Sequence, residues 1–331
     1  MPFRFVGYDQ IPDLAGCVTF EEVEIKPYSY SYATPREHEP NYLFRGCLYD
    51  NEGRLIRNSQ RWSARAAYIP TDPEHIVFDE NADFIPGRSL YLGIYHDVFG
   101  HFILESICNS WALKSISSEF DNFIFHAWRS EFTDTSWDIA KGSYEAMGID
   151  LSRVKIISTR PAIIENCWVP SGLYKINHCC HLLMNSVYNN IINYANSINR
   201  PIDTPDKIYL SRKYQGRHAI NEETLEEIFR AEGYNIIYPE QYRFIDQVRL
   251  ASNASTIAGC DGSNMHLACF ANKKTTVYNI DCRIVINQYV IESLRELDAH
   301  HVWCLQKPID DLRWQADEQA VLENLRYLAD R

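Results

Sequence analysis

From about residue 75 onward, short β-branched apolar runs alternate with amphipathic stretches, and this alternation restricts the chain to few folds. Residues 76–78, 90–93, 123–125, 154–157 and 163–169 read as strands. Between them, 98–117 carries Phe102, Ile103, Ile107, Trp111 and Leu113 at helical spacing, 137–147 is a helix closed by Gly148, and 181–198 is a helix stopped before Pro201. A linker at 201–206, with two prolines and two acids, interrupts the pattern. It then restarts: strands at 207–211, 234–238, 256–258 and 275–278 enclose helices from Asn221 to Gly233, near 245–251, and from Ser263 or Asn264. Strands separated by helices run parallel, because only a crossover returns the chain to the same edge. The expected class is α/β with two Rossmann-like domains, at 76–200 and 201–331, facing across a cleft. The last helix is expected to return to the first of them. Pro12, Pro27, Pro35, Pro40 and Pro70 exclude long helices from 1–75, which reads as a β-rich extension with short pieces such as 17–20.

The charge balance narrows the partners. The chain of 331 residues has 44 acidic and 32 basic side chains, a net charge of −12, so its general field repels nucleic acid and anionic surfaces. No run approaches the ~18 apolar residues of a membrane-spanning helix. The first residues lack a secretory signal, and a soluble, cytoplasmic protein is expected. Ten cysteines without a C-x-x-C spacing read as free thiols rather than a zinc site. His178, His181, His300 and His301 lack carboxylates at a fixed spacing and read as structural.

Three clusters fall at strand-to-helix junctions, where α/β sheets bind ligands. The first runs from Tyr95 to Glu105. A helix starting near Val98 makes Asp97 its cap and puts His101 and Glu105 on one face, four residues apart. A carboxylate one turn from an imidazole fixes its tautomer and raises its basicity, as a general base needs; the same pair also serves to tie a helix to a sheet. The second is Ser211-Arg212-Lys213-Tyr214-Gln215-Gly216-Arg217-His218, three cations in six residues. It reads as an anion site or as a solvated basic turn. The third, Gly259-Cys260-Asp261-Gly262-Ser263-Asn264, is a glycine turn before a helix whose N–H groups suit a phosphate. Neither G-x-G-x-x-G nor a P-loop is present, which argues against dehydrogenases and P-loop enzymes. No D-x-D pair presents a divalent ion.

Together these blocks resemble glycosyltransferase family 61. Gly100-His101-Phe102 with Glu105 is similar to its glycine-histidine signature. Ser211-Arg212-Lys213, Arg217 and Asn221-Glu222-Glu223 are similar to its arginine and Asn-Glu motif, continued by Gly233-Tyr234, Pro239-Glu240 and Asp246-Gln247. Gly259-x-Asp261-Gly262-Ser263 with Phe270 looks like its last glycine-rich motif, although members often carry histidine where Asp261 stands. The resemblance spans roughly 90–280.

It implies a GT-B-like architecture and an inverting, metal-independent glycosyltransferase (EC 2.4) of the bacterial capsule or polysaccharide type. His101, supported by Glu105 and with Asp97 in reserve, would take the proton of the acceptor. Arg212, Lys213, Arg217, Asp261, Gly262, Ser263 and Asn264 would bind the donor, with the arginines on the diphosphate and Asp261 on hydroxyls. The expected partners are a nucleotide sugar, UDP-linked, and a glycan or lipid-linked glycan at the inner face of the membrane. No metal or other cofactor and no nucleic acid are expected. The alternative is a non-catalytic glycan- or nucleotide-binding module in a biosynthetic complex.

Overall fold

The computed structural model describes residues 18–19, 23–35, 37–38, 44–61, 72–111, 113, 117–127, 134–310 and 313–329. Contacts divide the chain into two compact units, Thr19–Ile191 and Ile192–Arg331 with Met1–Val18.

Six strands form one sheet of the Thr19–Ile191 unit: β1 (Ile25–Ala33), β2 (Leu48–Tyr49), β3 (Asp83–Tyr95), β4 (Asn122–Ala127), β5 (Val154–Ile157) and β6 (Ala162–Pro170). Their order is β2-β1-β6-β3-β4-β5. β6, β3, β4 and β5 are parallel, whereas β1 runs antiparallel to β6 and to β2. The sheet is therefore mixed rather than purely parallel, because the β-rich extension joins it as antiparallel strands. All six residues of β4 are buried, as a strand covered on both faces requires. Tyr91, Ile124, Ile164, Cys167 and Val169 form the core of this sheet, each large apolar side chain worth about 1.5–3 kcal/mol when fully buried. Residues 76–78, expected as a strand, form a loop in which Ile76 N–H donates to Gly53 O at 3.0 Å and Val77 is 96% exposed. Of the expected β piece at 17–20, only Val18–Thr19 is described.

The long helix expected at 98–117 is shorter. A helical turn at Phe99–His101 passes into a π-helical stretch at Phe102–Ser106, and turns follow. The reason lies in its carbonyls. Ile103 O accepts the Tyr188 hydroxyl at 3.1 Å, Ser106 O that of Tyr144 at 3.3 Å and Glu105 O the Cys108 thiol at 2.9 Å, so side chains satisfy groups that a further turn would use. Residues 112 and 114–116 of that expectation lie outside the described residues.

The second unit holds a five-stranded sheet: β7 (Lys207–Leu210), β8 (Asn235–Ile237), β9 (Thr256–Cys260), β10 (Thr276–Asp281) and β11 (Asp298–Trp303), in the order β8-β7-β9-β10-β11. Every pairing is parallel. Helices Glu222–Ala231, Phe244–Asn253 and Ile286–Arg295 lie between the strands. Asn221 precedes the first of them, but its side chain caps nothing there; it bonds Ala316 and Glu318 instead. The helix expected from Ser263 or Asn264 is a 3₁₀ turn, Met265–Phe270, every residue of which is buried. Tyr209, Phe229 and Tyr278 anchor the core, and Val321 and Leu325 of the last helix, Glu318–Ala329, lie in the same cluster. Among the described residues, no helix is long and apolar enough to cross a membrane.

Candidate functional site

Each sheet has a switch point where the chain order reverses, and chemistry-bearing side chains gather at both. In the first unit the chain leaves β3 for β4 and β5 and then returns to the other side of β3 as β6. His96 follows the carboxyl end of β3, and its backbone N–H donates to Ser106 Oγ at 2.8 Å, folding the helix start back over the strand end. Asp97 and Val98 form the bend; the cap position is Val98, not the expected Asp97, and no side chain caps the helix.

This fold brings His101 and Glu105 together. His101 Nδ1 lies 2.5 Å from Glu105 Oε2, and the His96 ring stacks on the His101 ring at 5.0 Å. Arg61, absent from the sequence reading, holds the same carboxylate bidentately: Nε to Oε1 at 2.7 Å and Nη2 to Oε2 at 3.1 Å. Arg61 leaves a 3₁₀ turn, Arg57–Ser59, that is pinned by Leu48 N–H donating to Ser59 Oγ at 2.8 Å and Tyr91 hydroxyl donating to Ser59 O at 3.2 Å. Burial of Glu105 favours its neutral form, but Arg61, His96 and His101 outweigh that and hold the carboxyl well below the usual carboxylate range. An anionic Glu105 accepts, so Nδ1 of His101 carries the proton. Nε2 is then the basic atom, on a side chain 40% exposed.

His96, His101 and Glu105 place three potential ligand atoms within 4.8 Å of one another. A cation there would share the one carboxylate with Arg61, which already holds both of its oxygens.

In the second unit, the switch point lies between the carboxyl ends of β7 and β9. Ser211 Oγ donates to Glu226 at 2.7 Å, and Glu222, buried at the start of its helix, accepts the Arg212 backbone N–H at 2.9 Å. Burial raises the Glu222 pKa. The buried Arg212 side chain runs along the following loop, its Nε donating to Arg217 O at 2.8 Å and its Nη1 to Asn264 Oδ1 at 2.7 Å. Gly262, at φ 147°, leaves room for it: a Cβ there would collide with the guanidinium.

Arg217 joins this group. Its Nε is buried without a hydrogen-bond partner among the described residues, and its pKa is lowered by burial and by the nearby charges of Arg283 and Arg212. Arg283, which the sequence reading missed, donates from Nε to Asp261 Oδ2 at 2.8 Å, while the Cys282 thiol donates to Asp261 Oδ1 at 3.1 Å. Asp261 is therefore engaged on both oxygens. Lys213 turns away, to Glu223 at 2.7 Å. Asn264 positions Arg212, and its Nδ2 donates to Leu210 O at 2.9 Å. Ser263 contributes its carbonyl to the 3₁₀ turn, accepting His266 N–H at 3.3 Å. Three guanidinium groups against Asp261 and the buried Glu222 leave this cluster with an excess of positive charge, a setting for a diphosphate.

The remaining buried cluster lies on β10 and β11. His301 is held between Asp281 Oδ2 at 2.7 Å and Glu292 Oε2 at 2.8 Å. The nine described cysteines are free, and only Cys282 is more than marginally exposed.

Comparison with known families gives one finding: the model described as Glycosyltransferase 61 matches residues 99–278, more than half of the chain. No curated protein matches.

Proposed function

The chain belongs to glycosyltransferase family 61 and is a glycosyltransferase, and from that premise we propose that it is an inverting enzyme acting without a metal ion. Its two units would be the two halves of a GT-B enzyme. The donor would be a UDP-linked sugar and the acceptor a hydroxyl of a glycan or lipid-linked glycan, in bacterial-type polysaccharide assembly on the cytoplasmic side of the membrane.

One observation carries this reading: Arg212, Arg217 and Arg283 converge at the switch point of a parallel sheet. In the proposed reaction Nε2 of His101 accepts the proton of the acceptor hydroxyl. The hydroxyl oxygen forms its bond to the anomeric carbon as the bond to the diphosphate oxygen breaks. That oxygen keeps the electron pair, and the guanidinium groups neutralise it, the work a divalent ion does elsewhere. Glu105 stabilises the imidazolium formed. Asp97, partly buried before the helix, is the reserve base.

The test separates the two halves of the chemistry. His101→Ala should lower turnover by ~10²–10⁴ and leave UDP affinity intact. Arg212→Ala should weaken UDP binding measured by calorimetry. Full turnover in the first variant, or unchanged affinity in the second, removes the corresponding role.

A further inference from the structure

A cavity of about 660 Å³ opens in the Thr19–Ile191 unit, within the ~300–1,000 Å³ that small ligands occupy. Its position is informative. Gly93 and Ile94 line it from the carboxyl end of β3, and Ser171 and Gly172 line it just beyond the carboxyl end of β6, so it occupies the switch point of that sheet. Glu105 and Arg61 form part of its wall, which puts His101 one hydrogen bond from the lining.

Asn109 is the polar side chain that the fold has prepared. It is about nineteen-twentieths buried and lines the cavity. Its Oδ1 accepts the Cys108 thiol at 3.1 Å, while its Nδ2 has no partner among the described residues. Two glycines keep the space beside it open. A Cβ on Gly172 would lie 3.2 Å from Asn109 Oδ1, and one on Gly93, at φ 87°, 3.5 Å from its amide carbon. Gly93 also sits where the β3–β4 register shifts, between Tyr91 and Ile94. A bulge, two missing side chains and a buried amide donor converge on one point.

The charges define what fits. The lining holds four carboxylates against three cations, and its two arginines are engaged, Arg57 by Glu74 at 2.8 Å and Arg61 by Glu105 at 2.7 Å. Unlike the arginine cluster of the other unit, this wall has no excess positive charge for a phosphate or uronate. Apart from Lys175, His181 and three thiols, its remaining polar groups are amides and hydroxyls, which exchange hydrogen bonds with sugar hydroxyls.

We propose that this cavity is the acceptor pocket and that it takes a neutral, hydroxyl-rich glycan, with Asn109 Nδ2 as a specificity-determining donor. The assignment rests on the glycosyl-transfer reading above. The full-length protein is tested against neutral gluco-, galacto-, manno- and xylo-configured trisaccharides and their uronate counterparts by frontal affinity chromatography, with UDP affinity measured in parallel. At least one neutral trisaccharide should be retained, its affinity falling at least tenfold in Gly172→Leu, which fills the cavity. In the milder Asn109→Ala it should fall about fivefold, with the melting temperature close to wild type. Failure to retain any neutral trisaccharide, preference for a uronate, or retention unchanged in Asn109→Ala overturns the assignment. UDP binding without glycan binding sinks the acceptor pocket and leaves the donor reading standing; loss of UDP binding in the wild type sinks the donor reading instead.

Discussion

Arg61 grips both oxygens of Glu105 across 44 residues of sequence, at 2.7 and 3.1 Å, and the same carboxylate orients His101. The guanidinium fork fixes the carboxylate plane, and the carboxylate fixes the imidazole. The base is thus set by a residue far outside its own helix.

Removing the charge of Glu105 while keeping its shape tests this chain of contacts. Glu105→Gln should cut turnover at least tenfold and alter the acid limb of the pH–rate profile, with UDP affinity unchanged. Arg61→Lys should be milder than Arg61→Met, which leaves a buried carboxylate unpaired at a cost of about 3–5 kcal/mol. Steady-state kinetics and urea melts on the same preparations read both effects.

Gly262→Ala places a methyl group where the Arg212 guanidinium lies. The expected result is displacement of Arg212 from Asn264 and at least tenfold weaker UDP binding, about 1.4 kcal/mol. Calorimetry checks it. Wild-type affinity would mean that the guanidinium has another place to go.

Asp261→Asn removes a carboxylate charge beside the arginines and releases Arg283. UDP should bind more tightly, with a steeper dependence on ionic strength, whereas Arg283→Ala should weaken it. Titrations at two salt concentrations distinguish these outcomes from a purely structural role for the pair.

His301 predicts a pH signature in stability. Burial alone would lower its pKa, but Glu292 and Asp281 raise it to about 10. A base whose pKa is raised on folding stabilises fully below its unfolded value, ~6.5, and loses that contribution as pH climbs through the folded one. The melting temperature should therefore fall between pH 7 and 10, and His301→Gln should flatten that slope. An equal slope in both proteins would assign the pH dependence to other groups.

The α/β class and four of the five parallel strands of the second unit were legible because buried parallel strands are continuous apolar runs between amphipathic helices; the edge strand Asp298–Trp303, polar and half exposed, went unread. The mixed character of the first sheet was not, since β1 alternates Tyr, Ser and Pro with no signal for its partner β6. Helical spacing suggested a long helix after Val98, but periodicity does not record that Tyr144 and Tyr188 occupy its last carbonyls. At the sites, His101, Glu105, Arg212 and Arg217 stood out by spacing or by charge density. Arg61 and Arg283 did not. Arg61 is one of four arginines between 54 and 65, Arg283 stands alone in its stretch, and only the folded chain shows that each faces a carboxylate. His96 had a weak signal, a second imidazole five positions before His101, whose meaning depended on the bend at Asp97 and Val98.

Both of those arginines fall outside the 99–278 stretch that carries the family likeness. A fragment trimmed to that stretch would keep every recognisable motif yet strand Glu105 and Asp261 without their counter-ions. Such a piece should express as an inert relic, however faithful its signature. The segment at Arg57–Ser59, outside the matched stretch, is the splint that keeps the base upright.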